Sequence, residues 1–272
     1  KQVIGQQNFQ IGAVVGLILL VPALVAFFVD HAVRVRQKAL LSARSVPYVP
    51  KPAPVRDRLL LAFVLLMSAA MLAVIGMAVF GSFVKVWPYN LSFTLNHYTY
   101  GFEEAGVENA YRNSLTMAAW CALIGALLTF AGAYWLEKTR GADLVRPIVR
   151  LQAMLPMAIP GLVLGIGYIL FFNHPANPLN VLYGTMGILV LSTIVHFYSS
   201  SHLTAVTALK QLDNEFESVS ASLKVPFYKT FWRVTVPVCL PTVIDIARYF
   251  FVNAMTTISA VVFLYSPKTT LA

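Results

Sequence analysis

Residues able to do chemistry are few in this sequence, and their spacing argues for passage rather than catalysis. Glu103 and Glu104 are adjacent, so their side chains diverge on any regular element and do not form a proton-sharing pair. His196 and His202 are six apart, which puts them on different faces of a helix and makes them a poor metal pair. No nucleophile stands at a spacing that sets it beside a base. No Gly-x-x-x-x-Gly-Lys-Ser/Thr loop offers backbone amides to a phosphate. Asp245 and Arg248 are three apart, the spacing at which two side chains meet on one helix face, and they read as a structural ion pair. Asn253, Thr256 and Thr257, with Ser199 on the preceding apolar run, are polar groups set inside apolar sequence. They are the candidates to line a pathway, against the alternative of hydrogen bonds between helices. Nothing implies a catalytic residue, a cofactor or a metal, so the chain is expected not to be an enzyme.

The elements that must carry these residues are membrane helices. The chain of 272 residues is 58% hydrophobic and only 11% charged, too little charge to cover a water-facing surface. Apolar runs occupy about residues 11–29, 59–84, 114–136, 148–172, 185–208 and 238–264, each 19 to 27 residues long. A bilayer crossing takes roughly 20. The runs are continuous rather than alternating, which predicts helices and not barrel strands. The fold class is therefore all-α, a polytopic membrane protein with six spanning helices. The net charge of +9 would suggest nucleic acid in a soluble protein, but here the basic residues follow the membrane. The connections after runs one, three and five hold 15 Lys and Arg against 4 on the other side, so those connections are expected in the cytoplasm. Cys121 and Cys239 lie in or beside apolar runs and read as reduced and structural.

Residues 31–58 differ in kind. Pro47, Pro50, Pro52 and Pro54 among basic residues predict an extended cytoplasmic linker. It divides residues 1–30, read as the last helix of a preceding unit, from residues 59–272. The chain does not begin with Met, and its last residues follow directly on an apolar run, so it reads as a fragment open at both ends.

The segment of greatest interest is residues 210–241, KQLDNEFESVSASLKVPFYKTFWRVTVPVCLP. It is too polar to span and too patterned for a slack loop. Asn214 suits a helix cap, with Glu217 reaching back as in a capping box. Phe216, Val219 and Leu223 recur at helical spacing, and Pro226 suits the first turn of a second helix. Phe227, Phe231 and Val234 give that second helix an apolar side, with Lys229 and Arg233 toward water. The expected product is a helix, a turn and a helix on the cytoplasmic face.

This segment resembles the "EAA" loop of the permease subunits of ATP-binding-cassette importers, whose pattern is Glu-Ala-Ala, three residues, Gly, nine residues, Ile-x-Leu-Pro. Val234-Thr235-Val236-Pro237 matches the end conservatively. Ten residues earlier Lys224 stands at the Gly, and Ser218, Val219 and Ser220 stand at Glu-Ala-Ala, with Glu217 one place early. Asn113-Ser114-Leu115 resembles the start of the family's core, and Leu155-Pro156-Met157-Ala158-Ile159-Pro160-Gly161 its Pro-Gly-interrupted third helix. The wording Ser220-Ala221-Ser222-Leu223-Lys224-Val225-Pro226-Phe227 and Asn253-Ala254-Met255-Thr256-Thr257 is similar to fused two-unit permeases, the 2-aminoethylphosphonate branch first, then ferric iron and thiamine.

The resemblance implies a permease domain over residues 59–272, lacking its last helix, with a coupling loop at 210–238. It implies an ATPase partner inside the cell and a periplasmic solute-binding protein outside. It also implies a second permease unit, fused in the same chain, and a place in the bacterial inner membrane. Glu217, Ser218, Ser220, Ala221, Leu223, Lys224, Pro226, Phe227 and Pro237 would then form the ATPase-coupling loop. An ion-coupled secondary transporter with the broken fourth run at its centre is the competing expectation.

Overall fold

The computed structural model describes residues 52–103, 107–138, 144–212, 215–257 and 259–271. The first apolar run and most of the Pro-rich linker lie outside the described residues, as does Asn214. The described residues fall into two compact units, 52–108 and 109–271.

In the first unit, helix α1 (Pro54–Ser82) starts five residues before the apolar run does. Pro54 takes an opening position where its missing N–H costs nothing, and Asp57 accepts the Ala53 N–H at 3.0 Å, capping the helix from within. Its 29 residues rise about 43 Å, enough to cross a bilayer, and none of them is buried. A helix apolar on every side belongs in lipid or against other helices. The loop beyond it contains structure that the apolar pattern does not predict. Strands β1 (Val84–Val86) and β2 (Asn90–Phe93) pair antiparallel, and helix α2 (Asn96–Glu103) follows. Phe83 packs at 5.5 Å on Phe93 and on Tyr98, and Trp87 meets Phe80 edge-on, an aromatic girdle at the end of α1.

The second unit is all helix and turn. Helix α3 (Val107–Lys138) begins before Asn113, so the Asn113 amide sits inside the helix and donates to the Lys268 and Thr270 carbonyls. Helices α4 (Arg146–Ala158) and α5 (Gly161–Phe172) follow, then a 3-10 turn (Pro178–Leu182). Asn177 and Asn180 donate to the Phe171 and Phe172 carbonyls and satisfy the open end of α5. Helix α6 (Met186–Gln211) is the central element, packed by α4, α5 and the last helix, α9 (Leu240–Thr256). Ile188, Leu189, Ile246, Phe250 and Met117 form the buried heart. Gly125 on α3 admits the Phe250 ring, which would lie 2.9 Å from any Cβ added there.

Two of the expected spans are broken. The run 148–172 is not one crossing helix. Its axis bends by 111° between α4 and α5. Ile159 is pushed to extended backbone by Pro160, Pro156 brings no N–H to the ladder, and Ser199 from α6 bridges the gap. The Ser199 hydroxyl donates to the Ala153 carbonyl at 2.8 Å and accepts the Met157 N–H at 3.1 Å. At the bend, Gly161 lets α5 meet Ser259 and His196, either of which a Cβ would strike. The run 238–264 is likewise not one helix. Helix α9 stops at Thr256, Thr257 is extended, and residues 259–264 are turns. Among the described residues two helices, α1 and α3, have the length and composition to cross a membrane alone, or four if each bent pair counts as one. The runs 148–172 and 238–264, expected as single straight helices, are thus bent or ended part-way. Long α6 has the length, but His196, Ser199, Ser200, Ser201 and His202 interrupt its apolar run, with Ser199, Ser201 and His202 buried among other helices.

Candidate docking hairpin

Residues 215–238 form the expected helix–turn–helix. Helix α7 (Glu215–Ser222) ends in a Schellman turn, the Val225 N–H bonding to the Ser220 carbonyl and the Lys224 N–H to Ala221. Lys224 has φ +54°, the left-handed conformation that such a turn demands. The Gly-type turn therefore survives at the place found by counting back from the terminal Pro, with Lys in it. That conformation costs an L-residue about 1 kcal/mol. Lys224→Gly is expected to stabilise the turn by about 0.5 kcal/mol once the extra freedom of unfolded Gly is subtracted, and Lys224→Val to destabilise it. Amide exchange at Val225 measures both, slower in the first variant and faster in the second.

Pro226 caps helix α8 (Phe227–Val238). Pro237 has no N–H for the Arg233 carbonyl, and the helix widens to a π turn over Phe231–Thr235. A bend of 79° at Cys239 then leads into α9.

Two anchors hold the hairpin. Phe231 is buried against Tyr134 and Phe130 of α3, ring centres 4.8 and 5.9 Å apart. Glu217 turns its carboxylate to Lys138 at the end of α3, 3.6 Å away. Both Glu217 oxygens are shielded from solvent and accept no hydrogen bond, so the ammonium is their compensation. Lys138 also donates to the Leu212 carbonyl at 3.0 Å. The Ser220 and Thr230 hydroxyls bond to each other and clasp the two helices. A cleft of about 390 Å³ remains between hairpin and α3, with Trp135, Lys138 and Glu217 in its walls.

The other side of the hairpin is open and apolar. Leu223 is 69% exposed with Phe216 and Val219 exposed beside it, Tyr228 and Trp232 are exposed on the second helix, and Phe227, 64% exposed, stands at the mouth of the α3 cleft. A groove of about 700 Å³ runs between the helices, flanked by Lys229 and Arg233. Exposed apolar patches of this kind are found where a protein meets another protein or a membrane. Ser218, Ala221, Lys224 and Pro226 are exposed on the same hairpin, and Pro237 at its base. Of the second helix's expected apolar side, only Phe231 is buried. Glu217 faces inward, a direction that local sequence does not reveal.

The other polar candidates are dispersed. Asp245 and Arg248 do pair, at 3.1 Å, but both are exposed. The Asn253 amide donates to Tyr249 and the Thr256 hydroxyl to Val252, each on its own helix. Thr257 is the residue on which α9 ends. Ser199 is buried with its hydroxyl engaged on α4.

Residues 139–271 match the family model described as binding-protein-dependent transport system inner membrane component. The chain is 31% identical over 203 residues to the ferric transport system permease protein FbpB of Actinobacillus pleuropneumoniae, covering 74% of this chain and 29% of that protein. It is 29% identical over 201 residues to the putative ferric transport system permease protein FbpB 1 of Haemophilus influenzae, covering 73% and 31%. A 62-residue stretch is 36% identical to the putative ferric transport system permease-like protein AfuB of Escherichia coli, covering 23% and 52%. The chain thus spans about a third of the length of the two longer matches.

Proposed function

We propose, from the premise that this chain belongs through residues 139–271 to the family of binding-protein-dependent transport system inner membrane components, that it builds the translocation pathway of an ATP-driven importer and receives force through the hairpin 215–238. Its place is the bacterial inner membrane, which it crosses more than once. The observation that carries the reading is the hairpin itself: anchored at its base by Phe231 and Glu217, and open on an apolar face formed by Phe216, Val219 and Leu223. A separate ATPase on the cytoplasmic side would seat that face and move the hairpin as a rigid body. A periplasmic solute-binding protein would deliver cargo from the other side. A second permease unit, fused in the same chain, would complete the pathway, and the length of the relatives leaves room for one.

Ferric iron is the cargo best supported, because the relatives named above are ferric transport permeases. The phosphonate reading rests on two short residue strings alone. Proteoliposomes holding the full-length protein with its ATPase and binding protein are expected to accumulate radiolabelled ferric iron when ATP is inside the compartment facing the hairpin. Excess 2-aminoethylphosphonate is expected to leave that uptake unchanged. Uptake of labelled 2-aminoethylphosphonate and not of iron would replace the cargo, and uptake driven by an ion gradient with no ATPase present would replace the reading.

A further inference from the structure

We propose that Glu137 and Lys138, the last two residues of α3, are positioning residues that link the hairpin to the bent α4–α5 pair. The proposal rests on the hairpin reading above. Consecutive residues on a helix point in directions about 100° apart, so a neighbouring pair can hold two different elements. Lys138 reaches Glu217 on the hairpin at 3.6 Å and the Leu212 carbonyl at the end of α6. Glu137 accepts from Arg150 of α4 at 2.8 Å. Three of these four side chains are well shielded, Lys138 being 3%, Glu137 12% and Glu217 20% exposed, while Arg150 is half-open.

A carboxylate in the last turn of a helix opposes the helix dipole, so Glu137 does nothing for α3 alone. Its service there is to hold Arg150. The Phe231 contact differs in kind: an apolar ring slides, whereas an ion pair shielded from water keeps its partner and direction. A displaced hairpin therefore pulls the end of α3, and the end of α3 pulls α4. Because Ser199 fastens α4 to α6 at the break, the α4 end remote from that bridge is the part left to move.

The test uses the full-length protein assembled with its ATPase, with spin labels at exposed Leu127 on α3 and exposed Ile148 on α4. The distance between labels is compared before and after trapping with ATP and vanadate. The native complex is expected to show a shift. Glu137→Gln is expected to keep the ATPase bound and hydrolysing while losing more than half of that shift. Lys138→Glu is expected to lose it too, and the exchanged pair Lys138→Glu with Glu217→Lys to regain it, which keeps the test decisive where a single variant fails to fold. A full shift in Glu137→Gln, a folded exchanged pair with none, or no shift in the native complex overturns the linkage while leaving docking intact. An ATPase that does not co-purify with the native chain overturns docking, and the linkage with it.

Discussion

Leu223→Arg is expected to abolish association of the permease with its ATPase while leaving the protein folded in the membrane. Leu223 is 69% exposed at the turn of the hairpin, so its replacement is expected to change stability by no more than about 0.5 kcal/mol. Docking would bury it. Loss of a buried Leu side chain costs about 1.5–3 kcal/mol, and an unpaired guanidinium in the same place costs several more. The sum corresponds to at least about a hundredfold loss of affinity. Leu223→Ala, which removes the contact without adding charge, is expected to lie between native and Arg. Co-purification of the ATPase at graded concentrations measures the series. Equal affinity for native and Arg forms would mean that the face lies in lipid head groups, as an amphipathic hairpin can.

The second large effect is internal. Lys138→Met is expected to loosen the hairpin by about 3 kcal/mol, the lower end of the cost of breaking a buried ion pair, because Glu217 keeps a fifth of its exposure. The substitution strands a carboxylate whose oxygens have no hydrogen bond and leaves the Leu212 carbonyl without its donor. Glu217→Gln on the same background removes the stranded charge and is expected to restore most of the loss. Protease nicking near residues 212–226 reports it: faster in Lys138→Met, close to native in the double variant. Failure of Glu217→Gln to rescue would assign the damage to lost packing of the Lys138 stem.

The hairpin was legible in the sequence because its signals are local. Pro226, the periodicity of Phe216, Val219 and Leu223, and the distance from Lys224 to Pro237 are read within one stretch, whereas the left-handed φ at Lys224 is not, because Lys does not announce a conformation that Gly adopts freely. The long helices α1 and α3 were legible for the same reason. The reversal between α4 and α5 was not. Pro156, Pro160 and Gly161 announce a break, but a 111° bend depends on Ser199, His196 and Ser259, which arrive from distant sequence. Run 238–264 misled in the same way, since apolar turns and apolar helix have the same composition. The inward direction of Glu217 is likewise set by Lys138 on another helix, whereas local pattern offered only a cap at Asn214. The apolar face left outside the hairpin was hidden because periodicity says which residues share a side, not which side the protein covers.

On the function proposed above, another protein receives the open face of the hairpin. A photoreactive side chain placed at position 223 of the full-length permease, assembled with its ATPase in a bilayer and irradiated, measures it directly. A covalent adduct with the ATPase is expected, lost when the label is moved to buried position 231. An adduct with lipid alone, in a complex that still hydrolyses ATP and transports, would contradict it.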